Sequence, residues 1–205
     1  MRLLTLLLCI GLLLSNKSDS RFAKASPPAS KLKSCQNLSD GDVVLRSGKG
    51  FISDMMRNTS MKEKRFSHAG LIIILNNEPQ VVHCIASEQD PEGGIVIQPL
   101  ADFVSPAENK SFAIYRYPIT DNIRRQVRKS VLRYSSAHVT FDKSFDLSTD
   151  NALYCSEFVY KVLETASGNT IGIEPTRVKK GDYIGIDDLY LNTNCSLLID
   201  STYTQ

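Results

Sequence analysis

One cysteine and two histidines are the residues of this chain best suited to covalent chemistry. Cys155, Phe158, Val159, Val162 and Leu163 recur at helical spacing, Asp150 and Asn151 offer caps before them, and Gly168 follows as a stop. A cysteine near a helix N-terminus meets the positive end of the helix dipole and free backbone N–H groups, which favour a thiolate. The same N–H groups could receive an oxyanion. A nucleophile of this kind needs a base, and the chain has three histidines: His68, His83 and His138. His68 opens the apolar, β-branched run to Leu75, Asn76-Asn77 is a hairpin signal, and Gln80 to Ala86 reads as the returning strand. With a two-residue turn, Leu75 faces Glu78 and His68 faces Ile85. His83 then shares the face of His68, roughly 7–8 Å away at the backbone. A four-residue turn keeps the shared face but moves the pair about two residue pairs further apart. A thiol, a facing imidazole and a second polar group to orient it are the components of a Cys–His nucleophilic site.

The elements that must position these residues follow from the same reading. Asp42 to Arg46 is a short strand after the Asp40-Gly41 turn signal, and Ser47 to Arg65 is loop with a short helix around Ile52 to Arg57. Further strands are expected at Ile95 to Ile97, Phe112 to Tyr117 and Leu197 to Ile199. Thr120 caps a helix marked by Ile123, Val127, Val131 and Tyr134, and Asp187 to Asn192 reads as a short helix. Strands first, then helices, then a small strand predict an α+β domain with an antiparallel sheet packed against a few helices.

Five segments occur in order: Gly41-Asp42-Val43-Val44, Phe66-Ser67-His68-Ala69-Gly70-Leu71, Val82-His83, Phe141-Asp142-Lys143-Ser144-Phe145-Asp146 and Leu153-Tyr154-Cys155-Ser156-Glu157-Phe158-Val159. Together they resemble the YiiX-like branch of the circularly permuted NlpC-type cysteine peptidases, which have a papain-like core with His before Cys. The resemblance covers roughly residues 38 to 200. It implies Cys155 as nucleophile, His68 as general base, His83 as the residue that orients the base, and Tyr154 as an oxyanion donor. It implies a cysteine hydrolase, a peptidase or amidase that cleaves an amide in a peptide or a lipid amide through a Cys155 thioester, with no cofactor. A lipid acyltransferase or thioesterase using the same thioester, and a non-catalytic binding module, are the alternatives. A zinc site built from His68, His83 and Cys155 would use the same side chains; no CxxC or CxxH spacing supports a structural zinc, so no metal is expected.

Plainer roles stand beside these. A cysteine in an apolar helix is often a small buried hydrophobe. Cys84 alternates away from His83 toward the core, and His138 has no evident partner. Asp142 and Asp146 are expected to shape the loop before the nucleophile helix. Arg124, Arg125, Arg128, Lys129 and Arg133 read as a solvated helix face, or as a contact for anionic lipid or cell-wall polymer. The loop from Ser47 to Arg65 is expected to flank the cleft.

The 205 residues suit one domain, and 42% hydrophobic with 22% charged residues exclude wholesale disorder. Met1-Arg2, the apolar run Leu3 to Leu14 and the polar residues from Ser15 form a signal-peptide pattern, which makes 1–25 a signal peptide, 26–37 a linker and 38–205 the domain. Cleavage after Ala25 removes Arg2, Lys17, Arg21, Lys24 and Asp19, turning a formal net charge of +2 into −1. A near-neutral domain needs no polyanionic partner, so nucleic acid is not expected. Export, to the periplasm or outside the cell, permits a Cys35–Cys195 disulfide, with two free thiols the alternative. Asn-x-Ser/Thr triplets at Asn16, Asn37, Asn58, Asn109 and Asn194 would matter only in a eukaryotic secretory chain.

Overall fold

A computed structural model describes residues 37–179 and 181–204. In chain order the elements are β1 (Val43–Gly48), α1 (Phe51–Arg57), β2 (His68–Leu75), β3 (Glu78–Ile85), β4 (Gly94–Pro99), α2 (Leu100–Phe103) and β5 (Asn109–Arg116). There follow α3 (Asp121–Ser136), β6 (Thr140–Phe141), β7 (Ala152–Leu153), α4 (Cys155–Ser167), β8 (Thr176–Val178), β9 (Gly181–Tyr183), a 3₁₀ turn (Asp187–Leu189) and β10 (Ser196–Thr202). Six strands form one antiparallel sheet in the order β10-β5-β1-β2-β3-β4. The architecture is α+β.

The sheet is covered on both faces, which is why β2 reads as an unbroken apolar run rather than an alternating one. Val43, Leu45, Leu71, Ile73 and Val82 pack against Val127 and Val131 of α3 and Phe158, Val159 and Val162 of α4. On the other face Val44, Ile72, Val81, Phe112 and Ile114 pack against Leu100, Phe103 and Val104. Thr120 caps α3 as expected, its hydroxyl accepting the Ile123 N–H at 3.3 Å. Gly168 ends α4 with φ 69°, a left-handed conformation that favours glycine.

Several expectations change. Helix α4 is capped by Tyr154, not by Asp150 or Asn151, because β7 pairs with β6 (Thr140 opposite Ala152) and holds that stretch extended. Cys155 is therefore the first residue of the helix. Helix α2 and strands β6 to β9 are additions; each has four residues or fewer, too short for periodicity to mark. The basic face of α3 is not simply solvated: Arg128 holds the Asp40 carboxylate at 2.8 and 3.1 Å and the Ile74 carbonyl at 2.7 Å, and Arg124 donates to the Asp40 carbonyl. Asn109 is fully buried, its amide donating to the Phe103 and Ser105 carbonyls, which closes that triplet to modification. The signal peptide, nearly all of the linker and Cys35 lie outside the described residues. Cys195 Sγ lies 3.2 Å from the Asn192 carbonyl.

Candidate active site

The turn between β2 and β3 has two residues, Asn76 and Asn77, both left-handed (φ 51° and 64°), as a tight hairpin requires. Leu75 faces Glu78, and the register runs back to Leu71 facing Val82. There the two strands part. Strand β2 goes on pairing with β1 as far as His68 opposite Arg46, and β3 goes on pairing with β4 as far as Ile85. Across the opening, His68 Nε2 and His83 Nδ1 stand 2.8 Å apart, with the rings edge-on at 88°. Gly70 permits this approach: a Cβ there would lie 2.6 Å from Val81 Cγ1 and 3.1 Å from the Val82 carbonyl. The Phe103 ring contacts both imidazoles, at centroid distances of 5.7 and 5.2 Å.

Cys155, at the start of α4, lies near β2 at Ala69. It is buried, and the backbone amides of Ala69 (the residue after His68), Ser156 and Cys155 itself lie close enough to favour its thiolate. Among the described residues no hydrogen bond joins the thiol to His68. His83 engages His68 Nε2, which leaves His68 Nδ1 outside that bond.

Burial decides the charge states. It raises the Cys155 thiol above its ordinary value, and the three backbone N–H groups offset only part of that. The expectation that the helix N-terminus favours a thiolate is overturned on this point, because desolvation outweighs the dipole. Burial, then the Arg46 charge and His83, push His68 well below 6.5; burial and Arg46 push His83 to about 3. Both shifts favour the neutral thiol and neutral imidazoles over an ion pair.

The supporting residues are those that spacing does not reveal. Arg46 faces His68 across the strands, with its guanidinium 4.5 Å from the Phe103 ring centroid and Nη1 donating to the Phe103 carbonyl at 3.2 Å. An arginine ending an apolar strand was the one available signal; nothing marked Phe103. Tyr154, fully buried, has its hydroxyl oxygen on the Ile184 N–H at 2.8 Å. That ties the helix start to the 184 segment, so the donors at the thiol are backbone N–H groups. Glu157 accepts the Tyr154 N–H and pairs with Lys161 at 3.0 Å; burial lifts its carboxyl to about 7. Asp142 accepts the N–H groups of Ser144 and Asp146, both at 2.6 Å, which makes it a shaper of the loop before β7. Cys84 is core, its thiol donating to the Leu153 carbonyl at 3.0 Å, two residues from Cys155. His138 is exposed. A cavity of about 520 Å³ opens onto His68, and its walls include Arg46, Ile52, Met55 and Met56, so the Ser47–Arg65 stretch does flank it.

A family model for permuted papain-like amidases, the YaeF/YiiX or C92 family, matches residues 37–180. The chain is 24% identical over 142 residues to YiiX of Escherichia coli K12, an uncharacterized protein; the alignment spans 69% of this chain and 65% of that one. Its fold is similar to the crystal structure of the metalloprotein YiiX from Escherichia coli O157:H7. The TM-score is 0.66 at 16% identity, over 80% of this chain and 98% of that one. With 37–180 matched out of 205 residues, and with His before Cys on a sheet-and-helix core, the chain belongs to the YaeF/YiiX family of permuted papain-like amidases.

Proposed function

We propose that this protein is an exported cysteine hydrolase that cleaves an amide, in a peptide or a lipid amide, through a thioester on Cys155. The observation that carries the reading is the 2.8 Å imidazole pair, whose His68 precedes Ala69, the residue whose backbone amide favours the Cys155 thiolate. Export rests on the apolar run Leu3 to Leu14 behind a basic start.

Both groups start neutral, so His68 acts as a general base. As Sγ attacks the carbonyl carbon, its proton passes to His68 Nδ1. The His68 Nε2–H donates to His83 Nδ1, which fixes the ring and tautomer and shares the charge that forms. The backbone N–H groups at the thiol, including that of Cys155, hold the carbonyl oxygen as it becomes negative. The tetrahedral adduct collapses, the C–N bond breaks, and His68 gives its proton to the leaving amine. Water, deprotonated by His68, then releases the acyl group and restores the thiol.

The crystal structure similar in fold is that of a metalloprotein. Here the donor set does not fit a metal: the two imidazole nitrogens at 2.8 Å share a hydrogen bond, whereas two nitrogens on one tetrahedral zinc stand roughly 3.3 Å apart. Among the described residues no three or more His, Cys, Asp or Glu side chains are grouped to hold an ion. No step runs through one.

The test is turnover of a panel of peptide amides and N-acyl amides, with and without an added amine acceptor. Hydrolysis that Cys155→Ala abolishes supports the reading. A product made only with the acceptor would make the protein an acyltransferase. Binding without turnover across the panel would make it a binding module.

A further inference from the structure

Arg46 is held in place but has no counter-ion. It stacks on Phe103, and one N–H goes to the Phe103 carbonyl. Unlike Arg57, Arg65, Arg116, Arg128 and Arg177, it forms no ion pair among the described residues. Glu108, which also lines the cavity, acts on it only through space. Burial pulls the guanidinium down to about 10, the sign of a cation whose water has not been replaced by a partner. Among the described residues only one of its five N–H donors has a hydrogen-bond partner. It lines the same cavity as His68, with Lys49 and Lys143 on the walls; Lys49 Nζ is taken up by the Pro106 carbonyl.

We propose that Arg46 forms an anion subsite beside Cys155 and His68, which takes a carboxylate of the substrate next to the bond attacked. A planar carboxylate matches the guanidinium fork, and Phe103 holds that fork rigid. The inference rests on Cys155 being the nucleophile, and it narrows the substrates to amides with a nearby free acid.

Alkylation of Cys155 tests this without a known substrate. Iodoacetate carries a carboxylate and iodoacetamide does not; rates at Cys155 come from mass mapping. The wild-type protein is expected to favour iodoacetate, and Arg46→Gln to lower the iodoacetate-to-iodoacetamide ratio about tenfold, less so in high salt. Arg46→Lys keeps part of the preference. An unchanged ratio in Arg46→Gln overturns the subsite; both rates falling equally would assign the arginine charge to the thiolate instead. A second readout does not depend on the thiol. Succinate is expected to raise the melting temperature of Cys155→Ala but not of Cys155→Ala/Arg46→Gln, and an equal or absent shift in the two overturns the subsite. Failure of both reagents at Cys155 while succinate still binds through Arg46 would sink the nucleophile reading and leave an anion-binding pocket.

Discussion

The two ends of strand β1 carry opposite kinds of charge. At the start, buried Asp42 is gripped by Arg116 through two bonds of 2.7 Å and receives the Ser39 N–H at 2.8 Å. Beside it Arg128 holds Asp40 and ties α3 to the sheet. Both carboxylates there have an arginine. At the other end Arg46 faces two imidazoles that burial keeps neutral and a thiol that burial keeps protonated. The first end is arranged to stay as it is. The second holds proton donors, acceptors and a cation without an ion pair among the described residues. The contrast marks one end as structural and the other as reactive within a single strand.

The contrast is broken most decisively by removing the proposed nucleophile, Cys155. Cys155→Ala is expected to lower turnover by about 10⁴-fold while the melting temperature barely moves, because a small side chain leaves little cavity. Retained turnover would place the chemistry elsewhere. The structural end should behave in the reverse way. Asp42→Ala strands Arg116, which is partly solvated, so a loss of about 2–3 kcal/mol in denaturant unfolding is expected with the chemistry at Cys155 intact. A drop in activity beyond the unfolded fraction would contradict the division.

Smaller effects sharpen it. The proposed mechanism requires neutral His68, whose pKa Arg46 helps to hold below 6.5. Arg46→Gln should therefore move the acid limb of the rate profile to higher pH; a limb that stays put would show that Arg46 does not act on the base. The same shifts make stability pH-dependent. Above 6.5 both imidazoles are neutral folded and unfolded. As the pH falls below 6.5 the unfolded chain binds protons that the folded one refuses, down to about 3 for His83, so stability drops, and His83→Asn should flatten that slope. The smallest effect belongs to Tyr154→Phe, which orphans the Ile184 N–H at a cost of about 1 kcal/mol and should leave alkylation of Cys155 nearly unchanged.

Much of this arrangement was legible in the residues. The β-branched run from His68, the Asn76-Asn77 turn and the period of 2 were enough to bring both imidazoles together, although His68 does not pair with Ile85 because the β2–β3 ladder ends at Leu71 opposite Val82. The helical period placed Cys155 at a helix start, though the cap was misread because a two-residue β7 carries no periodic signal. The charge states were not legible. Whether a thiol is lowered by a helix dipole or raised by burial depends on how much water the fold removes, which comes from packing by distant segments. Arg46 and Phe103 were missed for the same reason, being 57 residues apart in the chain and in contact only in the fold.

The most direct test of the account is formation of an acyl-enzyme. An activated ester is mixed with wild type and His68→Ala across pH, and the acylated residue is identified by mass. The account predicts the acyl group on Cys155. It also predicts a rate near neutral pH about 100-fold higher in wild type than in His68→Ala, with the gap closing as the pH rises and hydroxide takes over the deprotonation. An acyl group on another residue, or equal rates in the two proteins at every pH, would contradict it.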